Sequence, residues 1–138
     1  MHDAEFLECF LRGTLSSASF RHADHVRAAW LMLQAYPGFD GLERYCAGIK
    51  KLANAANKPG LYHETITWAY LLLIRERRAR MPAAHTWPEF ASSNSDLFAW
   101  NPGVLERLYR KRTLQSDLAR KCFVLPARAV ESREESTA

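Results

Sequence analysis

Alternating apolar and polar residues, the mark of a half-buried β-strand, are absent from this 138-residue chain over any useful length. All-β architectures are thereby excluded. Only three cysteines occur, Cys9, Cys46 and Cys122, widely spaced and without a C-x-x-C pair, so neither a disulfide framework nor a thiolate zinc site is expected. The longest apolar run, Trp68 to Ile74, falls far short of the roughly 20 residues that span a bilayer. No membrane partner is expected. The opening Met1-His2-Asp3-Ala4-Glu5 is acidic and lacks a basic region followed by an apolar stretch, which reads as a cytoplasmic chain. Also lacking are a G-x-S-x-G elbow, a phosphate-binding glycine loop and a dinucleotide fingerprint, which disfavours serine acyl transfer and nucleotide chemistry.

What is present is helical periodicity almost throughout, in a composition of 48% hydrophobic and 25% charged residues that is ordinary for one globular domain. The expected fold is an all-α, single-domain bundle of five to seven helices over residues 1–126, followed by a polar, disordered tail over 127–138. A first helix is expected from an Asp3 N-cap to about Arg12, ended by Gly13, and a second from about Arg21 to Tyr36, stopped by Pro37-Gly38. A third follows Asp40 with Leu42, Tyr45, Cys46, Ile49, Leu52 and Ala53 on one face. The segment 63–80 is apolar on nearly every side between Ile66 and Ile74, as befits a central buried helix. Thr86-Trp-Pro-Glu89 reads as a capping box opening a fifth helix, Asn101-Pro102 as the start of another through about Arg112, and Ser116 as the cap of a last short helix to Cys122. Trp87, Phe98 and Trp100 would either fill the core or form a dimer patch, and the oligomeric state is not written in the periodicity.

The net charge of +4 comes largely from Arg75 to Arg80 and Arg107 to Arg112, two arginine clusters near helix C-termini. There they complement the helix dipole, so no nucleic-acid partner is expected.

Chemistry is expected where polar clusters interrupt these helical faces. His22 and His25 share one stripe with Val26, Ala29 and Leu33, and His63-Glu64 stands at the mouth of the central helix. If the second and fourth helices pack side by side, the three imidazoles converge. His22, His25 and His63 would then bind one divalent ion, zinc or iron with an open fourth position, or iron or manganese with Glu64 as fourth ligand. Without a metal, His63 and Glu64 are the candidate catalytic residues, with a neutral His63 at a helix N-terminus and Glu64 or Asp24 orienting an imidazole. Phe20, Trp30, Tyr62, Thr67, Trp68 and Tyr70 would wall a pocket for an apolar or aromatic small molecule. Thr65 is expected to bond locally, and Arg27 projects off the core stripe toward the surface.

Phe20-Arg-His22-Ala-Asp-His25-Val-Arg-Ala-Ala-Trp30 and Tyr62-His-Glu-Thr-Ile-Thr67 together resemble a family of small uncharacterised bacterial all-helical proteins with F-x-H-x-x-H-V-x-x-A-W and Y-H-E-T-I-T signatures. Ser116 to Arg120 and Phe123 to Pro126 extend the resemblance to roughly Phe6–Pro126. It implies one small helical domain with its polar signatures at His22, His25, His63 and Glu64, and no particular reaction. Two functions therefore stand side by side. One is a small-molecule enzyme performing hydrolysis, elimination or isomerisation, with or without a metal. The other is a non-catalytic module binding a small molecule or a protein, its histidines structural.

Overall fold

The computed structural model describes residues 1–99 and 103–126, and among these it is all-helical. Seven α-helices follow in chain order: α1 (Asp3–Arg12), α2 (His22–Ala35), α3 (Phe39–Ala55), α4 (Glu64–Arg80), α5 (Trp87–Ser93), α6 (Lys111–Leu114) and α7 (Asp117–Lys121). Short 3₁₀ turns lie at Pro59–Leu61, Ser95–Phe98 and Val104–Arg107. None of these helices is long and apolar enough to cross a membrane. The expected polar tail, and the Asn101-Pro102 helix start with Trp100, lie outside the described residues.

Local chemistry sets most boundaries. Gly13 closes α1 at φ +74°, and its amide donates to Phe10 O at 3.2 Å; Gly38 opens α3 at φ +95°, a conformation that L side chains rarely adopt. Ser116 Oγ accepts from the Ala119 amide at 3.1 Å and starts α7 as the sequence suggests. Three expectations need correction. The residue before α1 is His2 rather than Asp3, because the Asp3 carboxylate turns to Arg27, 2.7 Å away. Thr86 Oγ1 does accept from the Glu89 amide, but Glu89 returns its bond to the His85 amide one residue earlier. In place of a helix through Arg112, the chain forms the Val104–Arg107 turn and then α6, because Val104, Leu105 and Tyr109 must all reach the core across a bend.

α4 runs against α2, α3, α7 and the Val104–Arg107 turn, with Leu71 and Ile74 buried. It is not covered all round: Leu72 is 40% exposed. α1 packs across α2 and α3 and seats Phe10 fully buried, its ring 6.2 Å from Phe20 and 5.8 Å from Tyr45. Trp87 and Phe98 belong to the core edge, where they pack on each other and Trp87 also meets Phe90 and Trp30.

Gly48 in mid-α3 lets Phe10 in. A Cβ there would overlap the Phe10 ring carbons. Alanine should favour the helix by about 1 kcal/mol, but overpacking a closed core costs about 1–3 kcal/mol. We expect Gly48→Ala to destabilise by about 1 kcal/mol net in urea unfolding; a more stable variant would mean that the ring has room to slide.

Candidate functional site

Between α2, α3 and α4 lies a cavity of about 440 Å³. His22, His25 and His63 all line it, as do Phe20, Tyr62, Thr67 and Tyr70. α3 supplies a wall that the periodicity had assigned to core, through Tyr45, Ile49, Leu52 and Ala53. Arg120 from α7 also reaches it.

The three imidazoles are held very differently. His63 is the N-cap of α4, and its Nδ1 accepts the Ile66 amide proton at 3.1 Å. Its Nε2 stands 2.6 Å from Leu114 O, a carbonyl that only accepts, so Nε2 carries the proton and the ring is neutral with both nitrogens engaged. His22 Nε2 donates to Leu97 O at 2.8 Å, and its ring meets Tyr70 edge-on at 5.2 Å. Burial lowers the His22 pKa, partly opposed by that carbonyl. His25 stacks edge-on to Phe20 at 4.7 Å, and burial, with repulsion from His22, lowers its pKa to about 4 against the opposing pull of Asp24. It faces the cavity as a neutral imidazole, one nitrogen a donor and the other an acceptor.

Glu64 does not line the cavity. Its Oε1 accepts from Tyr62 Oη at 2.5 Å and from Trp68 Nε1 at 3.0 Å, a cluster on the neighbouring flank where burial also pushes the Cys46 thiol up. Trp68 stacks on Phe123 at 5.1 Å and likewise lies off the cavity wall. Trp30 packs against Trp87 and Phe90 and borders a separate polar depression with Arg75, Arg78 and His85; its buried Nε1 has no hydrogen-bond partner among the described residues. Among the described residues no group of three or more His, Cys, Asp and Glu side chains is placed to hold a metal ion.

Thr67 lines the cavity and also bonds locally, donating to His63 O at 2.7 Å. Fully buried Thr65, expected to bond locally, instead reaches the C-terminal segment: Ala119 O at 2.7 Å, Cys122 O at 2.9 Å and the Val124 amide at 3.1 Å. Those partners lie more than fifty residues along the chain, beyond any helical projection. Arg27 is at the surface as expected, paired with Asp3 and lying over the Phe6 ring at 4.4 Å.

His63→Ala removes a cap and the partner of a carbonyl together. Each is worth about 1 kcal/mol, so a loss of about 2 kcal/mol is expected in urea unfolding. His63→Asn, which caps but does not reach Leu114, should recover about half of it.

No protein-family model matches the chain, and neither a curated protein nor a solved structure does.

Proposed function

We propose that this domain is a binding module for a small, largely apolar molecule, held in the cavity between α2, α3 and α4. The observation that carries the reading is the cavity itself: about 440 Å³, within the range of small-molecule sites, with mostly apolar walls and a few convergent polar groups. Neutral His25 supplies an adaptable hydrogen-bond partner inside it. His63 and Glu64 are assigned to structure, since the His63 nitrogens serve the α4 cap and Leu114 while the Glu64 carboxylate serves Tyr62 and Trp68. The same commitments argue against a three-histidine metal centre, because binding an ion through His63 would cost one of its two bonds.

A catalytic reading has one specific support. His25 is an unprotonated imidazole in a mostly apolar cavity, the form a general base requires. Glu64 is not available there to orient it, so turnover would rest on His25 alone.

The test is fluorescence of N-phenyl-1-naphthylamine, a neutral apolar probe, titrated with the wild type and with Ala56→Phe, which places a ring in the cavity at the end of α3. Saturable enhancement lost in Ala56→Phe is the expected result. No enhancement, or equal enhancement in both proteins, sinks the reading.

A further inference from the structure

Among the described residues no aspartate or glutamate lines the cavity, and the one formally charged side chain that does is the guanidinium of Arg120. That side chain reaches the wall from the last turn of α7, and it is anchored there: Nη1 donates to Gly60 O at 2.6 Å, across to the turn that precedes α4. One of five N–H groups is thus committed to the backbone, and no carboxylate pairs with the rest among the described residues. Beside it, Leu61 carries apolar surface to the rim, while Ile66, Ile49 and Phe20 continue the apolar wall.

From this polarity we infer that the occupant is an amphipathic carboxylic acid, its apolar body among Phe20, Ile49 and Ile66 and its carboxylate on Arg120. The inference rests on the cavity being a binding site. A guanidinium presents parallel N–H donors that match the two oxygens of a carboxylate, and one unpaired positive charge calls for one negative charge, which favours a carboxylate over a phosphate dianion. The apolar body repeats the chemistry of the walls. Arg120 is exposed, and a neutral polar molecule of the same shape would forgo the ion pair with it.

Matched pairs separate this from the general reading. Decanoic acid against decanamide, and 2-naphthoic acid against 2-naphthamide, are titrated at pH 7.5 as displacers of bound N-phenyl-1-naphthylamine. The acid of at least one pair should displace the probe about tenfold more tightly than its amide. In Arg120→Gln, which removes the charge, that preference for acid over amide should vanish; Arg120→Lys should keep part of it. Acid and amide displacing equally from the wild type overturns the inference, as does a preference that survives Arg120→Gln or a bound probe that neither pair displaces, and all three leave the cavity standing as a site. Failure of the probe itself to bind removes the site and this inference with it.

Discussion

Thr65→Val is expected to cost about 3 kcal/mol, a large part of the total stability of a domain this size, although it keeps the shape and burial of the side chain. The hydroxyl sits between two carbonyls, Ala119 O and Cys122 O, and accepts the Val124 amide. A methyl group in its place leaves those backbone groups facing an apolar surface, and an unsatisfied buried group costs about 1–3 kcal/mol. Thr65→Ser keeps the hydroxyl and should lose only about 1 kcal/mol. Urea unfolding of the three proteins measures the difference. A valine variant within 1 kcal/mol of the serine variant would mean that water takes over the bonds.

The second large effect is acid sensitivity. Burial holds the folded His25 pKa at about 4 against an ordinary 6.5, so between those values the unfolded chain takes up a proton that the folded chain refuses. Stability is therefore complete above pH 6.5, falls as the pH drops through that window, and reaches its full loss near pH 4. The size follows from the two values and amounts to about 3 kcal/mol. His22, whose pKa is also lowered, adds in the same direction. Asp96 is separable: Arg77 lowers its pKa from 3.8, so its contribution is present above 3.8 and is lost at more acidic pH. Unfolding midpoints at pH 7 and pH 4.5 should differ strongly in the wild type and clearly less in His25→Gln. Equal pH dependence in both would remove His25 as the cause.

The helices were legible because their ends are local events. Gly13, the Pro37-Gly38 stop and Ser116 each act within a few residues, and so does the cap at His63. The cavity was legible in part, because a helical stripe tells which residues face inward together: His22 with His25 on α2, and His63 with Thr67 on α4. A stripe does not tell which neighbour lies opposite. Trp30 faces Trp87 and Phe90, and Trp68 faces Phe123, so both are turned away from the cavity. Tyr45, Ile49 and Leu52 read as core because a cavity wall and a core face have the same periodicity. Arg120 and the Thr65 bonds were not legible at all, since their partners are separated by more than fifty residues.

Those distant bonds share a pattern. Gly60 with Arg120, His63 with Leu114, and Thr65 with Ala119, Cys122 and Val124 all join the entry to α4 to one stretch near the C-terminal end of the described residues. In folding, the contacts of that stretch with the entry to α4 form only once a loop of some fifty residues has closed, so we expect it to dock after the α1–α4 bundle has formed. Under native conditions it is then the unit most readily released as a whole, and its amides should exchange with deuterium together and ahead of those in α2 and α4.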